Sequence, residues 1–242
     1  VSDRVVRALV IGRVDYRDTD RVMRLLTAEH GRIAAMARGA RASKRRFGGA
    51  LELGCEIDAV LKAGRGSMET LQRAELVHPH AHIRDHLETL ALAAYFCDWI
   101  EQLARESQPE PRLFGLLQVG LRVLDACTEP PVNALRVAFE AKALTFSGLT
   151  PRLTVCGGCG QAVDDETVYD FAGGGAQHRR CGPGAPVSRA FLLAVESARR
   201  TPLAECVDTE LPAGPTWLLH DHLAWHQGRA LRSRDVLQQL GV

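Results

Sequence analysis

The hydrophobic pattern changes period near residue 80. Before that point, apolar positions follow strand spacing. Val5 to Val14 is apolar and rich in β-branched residues. Val22 to Thr27 and Ile33 to Ala37 flank Glu29-His30-Gly31, a predicted hairpin turn. The clearest alternation spans residues 51–62. There Leu51, Leu53, Cys55, Ile57, Ala59 and Leu61 alternate with Glu52, Gly54, Glu56, Asp58, Val60 and Lys62. Period two with one polar face predicts a half-buried antiparallel strand. Gly64-Arg65-Gly66-Ser67 predicts a turn, and Met68 to Val77 a fifth strand. Short strands at this spacing predict a small closed barrel of the OB type, although an SH3-like barrel satisfies the same pattern.

From residue 83 the spacing becomes helical. Leu87, Leu90, Ala94 and Cys97 recur on one face, as do Leu113, Leu116, Leu117, Gly120, Leu121 and Leu124. Pro109/Pro111 and Pro130/Pro131 punctuate three predicted helices, and Gly148 with Pro151 ends the third. Ser188 is placed to cap a helix through Arg199. Pro215 is expected at the first position of another, and Ser233 to cap a last short one.

Between the helices lies a stretch of different chemistry, Cys156-Gly-Gly-Cys159-Gly followed by His178-Arg-Arg-Cys181-Gly. Each half is a ligand, two spacers, a second ligand and a glycine. Two such doublets are the usual arrangement of a structural zinc, which takes four tetrahedral N or S ligands. The spacing predicts one zinc per chain on Cys156, Cys159, His178 and Cys181. All four positions are filled, so no site is open for a catalytic water. The glycines after Cys159 and Cys181 suit tight turns, and Gly173-Gly174-Gly175 suits a hairpin reversal between the doublets. The histidines His78, His80, His82 and His86 cluster near the barrel's exit, but no nearby cysteine or carboxylate completes a metal site. His86-x-Glu88 matches the first half of a zinc deaminase signature, yet the second doublet already supplies the ligands that signature would need.

These changes divide the chain into a barrel at 1–80, a helical domain at 81–150 and 186–242, and a metal-binding insertion at 151–185, an α+β multidomain protein. Net charge is +1, so a nucleic-acid surface has to come from segregated charge. Residues 30–51 supply it. They hold no acid and six cations: Arg32, Arg38, Arg41, Lys44, Arg45 and Arg46. Most lie in a Gly/Ala/Ser-rich connection between strands, where they can track a phosphate backbone. The first 94 residues hold only two aromatics, Tyr16 and Phe47, so binding is expected to be electrostatic and to read few bases. If each cation met one phosphate of a single strand, log K would fall against log salt with a slope of roughly −4. Seven cysteines beside a C-x2-C doublet point to a reducing cytoplasm. The sequence predicts neither a secretory leader nor a membrane span. It also contains no P-loop, no dinucleotide fingerprint and no H-E-x-x-H motif, so no enzyme is expected.

Further motifs stand in order along the chain. The first is Leu25-Leu26-Thr27-Ala28-Glu29-His30-Gly31-Arg32, followed by Ala37-Arg38-Gly39-Ala40-Arg41. The next is Gly148-Leu149-Thr150-Pro151-Arg152-Leu153, leading into Cys156-Gly-Gly-Cys159. The last is Leu231-Arg232-Ser233-Arg234, with Val236, Leu237 and Leu240. In these motifs, their order and their spacing, the chain resembles the RecO family of bacterial recombination mediators. His178 departs from a second C-x2-C doublet, and neutral imidazole serves zinc equally well. The resemblance implies a non-enzymatic role in recombinational repair: binding single-stranded and duplex DNA, annealing complementary strands, joining RecR, engaging single-strand-binding protein and helping to load the recombinase. An acidic tail ending in an apolar residue would call for a cation beside an apolar groove. Arg112 and Arg122, among Arg105, Arg136 and Lys142, near Leu113, Leu116 and Leu117, are the expected seat. A zinc-ribbon module serving transcription or RNA handling is the other class the sequence allows.

Overall fold

The computed structural model describes residues 3–64, 68–131 and 133–241, and at Lys44 the backbone alone. The expected turn at Gly64-Arg65-Gly66-Ser67 lies largely outside the described residues. Internal contacts divide the chain into two compact units, one ending at Ala126 and one beginning at Cys127.

The first unit opens with five strands: β1 (Arg4–Tyr16), β2 (Asp20–Thr27), β3 (Gly31–Ala37), β4 (Glu56–Lys62) and β5 (Glu69–His78). They close into a barrel in the order β1-β2-β3-β5-β4. All pairings are antiparallel except β3 with β5, where Ala35 and Met36 face Glu69 and Thr70. β1 is long enough to serve two neighbours. Its first half pairs with β4 and its second half with β2, and the register shifts between Val10 and Gly12. Side chains alternate inward and outward along β3, and the interior mixes branched residues such as Leu25, Ile57 and Leu71 with small ones, among them Ala8, Ala35, Ala37 and Ala59. Small barrels combine large and small side chains in this way to fill a tapering interior without a void.

The strand expected at 51–62 begins only at Glu56. Gly54 has a φ of +80°, which ends extended backbone there. Leu51 and Cys55 instead plug one end of the barrel with Phe47 and Ala50. Glu56, expected on a solvated face, is fully buried. Its carboxylate accepts from Gln118 Nε2 at 2.9 Å, Arg7 at 3.1 Å and Arg122 at 3.4 Å. Gln118 and Arg122 lie on α3 (Pro111–Ala126), which with α2 (Leu87–Leu103) completes this unit. A one-turn helix, α1 (Lys44–Phe47), interrupts the connection between β3 and β4.

In the second unit α4 (Asn133–Phe146) is buried on nearly every side, and α5 (Arg189–Arg200) and α6 (Leu218–Gln227) pack on it. Arg136 of α4 is 1% exposed. It pairs with Glu140 at 2.8 Å and lies over the Trp217 ring at 3.9 Å. Ser188 caps α5 as expected, its hydroxyl accepting from the Phe191 N–H at 3.2 Å. Pro215 does not open α6. Its carbonyl accepts from the Leu218 N–H at 2.8 Å, forming a turn that delays the helix to Leu218. Ser233 likewise is not a cap. It is the first residue of α7 (Ser233–Leu240), with Arg232 at the capping position. Between α4 and α5 runs a small sheet, β7 (Gly175–His178), β6 (Thr167–Asp170) and β8 (Ala185–Pro186), in that order. Residues 171–174 make the predicted reversal, with Gly174 at φ +74°.

Candidate metal centre and nucleic-acid interface

Two turns in the second unit bring the four predicted ligands together. In the first, the Gly160 N–H donates to the Cys156 carbonyl at 2.9 Å, and Gly160 holds φ +74°, as its place after a ligand doublet predicts. In the second, the Cys181 N–H donates to the His178 carbonyl at 2.8 Å. Gly182 has another reason to be glycine than positive φ. A Cβ there would lie 2.7 Å from the Gln177 side chain. At Gly158 a Cβ would lie 2.9 Å from Cys181 Cβ, so this spacer lets the two turns meet.

The three Sγ atoms and one imidazole nitrogen lie within 4.8 Å of one another. His178 is 1% exposed, with Nδ1 3.3 Å from Cys159 Sγ and 4.0 Å from Cys181 Sγ. Its Nε2 lies 3.0 Å from the Ala162 carbonyl. The Nε2–H therefore donates outward and leaves the Nδ1 lone pair facing the sulfurs, the arrangement that orients a metal-ligating histidine. The His178 N–H donates to Cys156 Sγ at 3.3 Å. Desolvation alone would raise the Cys156 thiol, but N–H donation from His178, Cys159 and Gly158, with the Cys159 side chain, overrides it and brings the pKa down to about 6. Cys181 moves the other way, up to about 11, through desolvation and the neighbouring Cys156 and Cys159 sulfurs. The cavity thus holds one thiolate readily and resists a second. A divalent cation would lift that resistance, because thiolates rather than thiols are its ligands. The four side chains fit a metal ion.

The acid-free stretch lies in the first unit. Phe47 is 3% exposed and anchors it in the barrel's end. The Gly39 N–H donates to the Asp20 carboxylate at 2.7 Å, and Gly39 takes a φ of +62°. Arg41 is tied to the β1–β2 hairpin twice, by its N–H to the Thr19 carbonyl at 3.0 Å and by its guanidinium to the Asp18 carbonyl at 3.1 Å. Arg46 bonds the Arg38 carbonyl at 2.6 Å and Ser43 at 3.1 Å, and lies over the Phe47 ring at 4.9 Å. The hydrogen-bond acceptors of the Arg41 and Arg46 guanidinium groups are neutral, carbonyl oxygens and the Ser43 hydroxyl. Arg38, Arg41, Arg45 and Arg46 are exposed. Arg32 differs. It sits on β3, and its guanidinium is 3.3 Å from Glu106. The Lys44 side chain lies outside the described residues.

Helix α3 offers less than its sequence suggests. Arg112 is exposed, but Arg122 faces the buried Glu56. Leu113, Leu116 and Leu117 are buried, at 1%, 6% and 0% exposure, and supply core rather than a groove. Arg136 and Lys142 belong to the second unit. Arg136 is enclosed, and Lys142 Nζ donates to the Arg199 carbonyl at 2.7 Å. His80 is buried with Nδ1 2.8 Å from the Gly54 carbonyl, stacked on His78, which gives this part of the histidine cluster a packing role. Among the described residues no helix is long and apolar enough to cross a membrane.

The chain matches known proteins along nearly all of its length. Residues 4–80 match the family model described as Recombination protein O N terminal, and residues 84–235 the one described as Recombination protein O C terminal. It is 39% identical to the DNA repair protein RecO of Myxococcus xanthus (strain DK1622), covering 97% of each chain. Against the DNA repair protein RecO of Anaeromyxobacter dehalogenans (strain 2CP-C) it is 39% identical, over 99% of this chain and 98% of that one. Against that of Pelobacter propionicus it is 34% identical, over 97% and 96%.

Proposed function

Because the chain belongs to the RecO family of DNA repair proteins, which are non-enzymatic recombination mediators, we propose that it binds single-stranded and duplex DNA through its barrel and anneals complementary strands. With RecR it helps to load the recombinase onto DNA coated by single-strand-binding protein. The observation that carries the DNA reading is the loop after β3: exposed Arg38, Arg41, Arg45 and Arg46, with Lys44 between them, and no acid from 30 to 51. Arg32 adjoins them but shares its charge with Glu106. Annealing requires two polyanions to approach. Cations that neutralise phosphates without reading bases remove that repulsion and leave the base edges free to pair.

We assign one structural zinc to Cys156, Cys159, His178 and Cys181. Three soft thiolates and one imidazole within 4.8 Å of one another select zinc over harder ions, and a closed four-ligand set leaves no position for chemistry. When bound, the ion supplies cross-linking of two turns and nothing reactive. Functionally we divide the chain into the DNA-binding barrel at 1–80, the helices at 81–150 and 186–242, and the zinc insertion at 151–185. Arg112 and Arg122 remain our candidates for the acidic tail of single-strand-binding protein, with Arg112 the more open of the two. A DNA-bound role places the protein in the cytoplasm at the nucleoid.

The test is strand annealing by purified protein without ATP. The parent should anneal complementary oligonucleotides, and the Arg38→Ala/Arg41→Ala variant should anneal more slowly in proportion to its lost affinity. A parent that binds both strands yet never pairs them would favour a passive interaction module instead.

A further inference from the structure

The tip of the β1–β2 hairpin is built into the same surface as the basic loop. Tyr16 pairs with Asp20 across the hairpin, and Arg17, Asp18 and Thr19 form the connection. The tip holds the loop through three bonds already described, from Gly39 to Asp20, from the Arg41 N–H to Thr19 and from the Arg41 guanidinium to Asp18. Arg17 takes a φ of +53°, a region a side-chain-bearing residue rarely adopts. In that conformation its guanidinium lies over one face of the Tyr16 ring, 5.2 Å from the centroid. Tyr16 is nevertheless 44% exposed, whereas Phe47, the other aromatic of the barrel, is 3% exposed. A large ring held out of the core, backed by a cation and beside a phosphate track, has the chemistry of a base-stacking site.

The charges at the tip say which part of a nucleic acid it meets. Asp15 is neutralised by Arg21 at 2.8 Å, and Asp20 is taken up by the Gly39 N–H. Asp18 is exposed. An exposed carboxylate repels phosphate but does not exclude the neutral face of a base. The loop therefore suits the backbone and the tip suits a base. A base in a duplex is stacked on its neighbours and offers no open face, whereas a base in a single strand does.

We infer that Tyr16, backed by Arg17, is a base-stacking position that makes the barrel prefer single-stranded over duplex nucleic acid. This rests on the reading of the basic loop as the phosphate track. The experiment compares the full-length parent with Tyr16→Ala, Tyr16→Phe and Arg38→Ala/Arg41→Ala. Each is titrated by fluorescence anisotropy against a labelled oligothymidylate, a duplex of equal length, and an equally long strand of abasic nucleotides.

Tyr16→Ala should bind oligothymidylate on the order of ten-fold more weakly. It should match the parent on the duplex and on the abasic strand, and keep the parent's salt slope. Tyr16→Phe should bind like the parent, since stacking needs the ring and not the hydroxyl. Equal affinity of Tyr16→Ala and parent for oligothymidylate overturns the inference. So does a loss of the same size on duplex or abasic strand, or a Phe variant as weak as Ala. The double arginine variant separates the two levels. It should weaken on all three ligands, and if it weakens on none, the loop reading falls and takes the inference with it. If it weakens as expected while Tyr16→Ala does not, only the stacking position is wrong.

Discussion

The candidate metal centre and the basic loop solve opposite physical problems. The centre gathers four groups within 4.8 Å, with His178 fully enclosed and its ring fixed from outside by the Ala162 carbonyl. A misplacement of one ångström would cost it a ligand. The loop spreads its cations along an exposed connection, and several of its internal bonds run to backbone carbonyls. There a shift of one ångström changes little, because screened charges act over several ångströms in water. One site depends on position and the other on sign. Perturbations that abolish the first should leave the second intact, and the reverse.

The largest effect expected is from removing the metal. Structural zinc in small modules contributes on the order of 10 kcal/mol of coupled binding and folding free energy. The sheet of β6, β7 and β8 is small and has little core of its own. Metal analysis should return one zinc per chain. Chelation, or Cys181→Ala, should expose residues 155–182 to hydrogen exchange and proteolysis while DNA affinity measured on the barrel changes little. Protein purified with no bound metal and a protected 155–182 segment would break the comparison on this side.

The same contrast explains what was legible in the sequence. Cys/His doublets are local in the chain, so spacing alone picked out the four side chains that the fold brings within 4.8 Å, whereas the buried Nδ1 of His178 shows only in the folded chain. The barrel's alternation was legible in β3 and in Ile57, Ala59 and Leu61. It misled at Leu51 to Cys55, because one left-handed glycine, Gly54, can turn a chain whose pattern still alternates. Distant partners were invisible. Arg32 meets Glu106, and Arg122 meets Glu56, across separations no local pattern encodes. Nor could two aromatics be told apart. Phe47 fills the barrel's end and Tyr16 stands out from it, a difference set by which way each strand or helix faces. Pro215 and Ser233 suited helix starts by residue type, yet neighbouring turns took those positions.

An intermediate effect belongs to the loop. With Arg32 paired to Glu106, five cations remain, Arg38, Arg41, Lys44, Arg45 and Arg46. The expected single-strand salt slope becomes roughly −3.5, shallower than a count of six implies. Raising salt from about 50 to about 200 mM should then weaken binding roughly a hundred-fold. Arg38→Ala/Arg41→Ala should flatten the slope by about 1.4, while Arg32→Ala should leave it within a few tenths of the parent's. Zinc content should be the same in all of them. If the double variant keeps the parent slope, the phosphate track is elsewhere in the chain.

The smallest effect tests how the sheet that carries His178 is fastened within its own unit. Tyr169 of β6 is buried, and its hydroxyl is 2.8 Å from Nδ1 of His222 on α6, whose Nε2 lies 3.2 Å from the Leu149 carbonyl. The neutral imidazole satisfies both, donating from Nε2 and accepting the Tyr169 hydroxyl at Nδ1. Desolvation first, then the neighbouring His226, push its pKa down to about 4, against a small opposing pull from the Leu149 carbonyl. Unfolded histidine titrates near 6.5. Between those values the unfolded chain binds the extra proton, so this contribution to stability is complete at neutral pH and is lost as pH falls from about 6.5 towards 4. At about pH 5.5 the loss should be about 1 kcal/mol, a size set by one pH unit below the unfolded pKa. His222→Gln cannot titrate. It should be less stable at pH 7, yet lose about 1 kcal/mol less than the parent between pH 7 and 5.5 when both are unfolded by urea in excess zinc. The buried His220 and His80 are common to both proteins, as is His178, so their contributions cancel in the difference. Equal pH slopes would mean that the Tyr169–His222 bond does not hold the neutral tautomer, and that the sheet is fastened by packing alone.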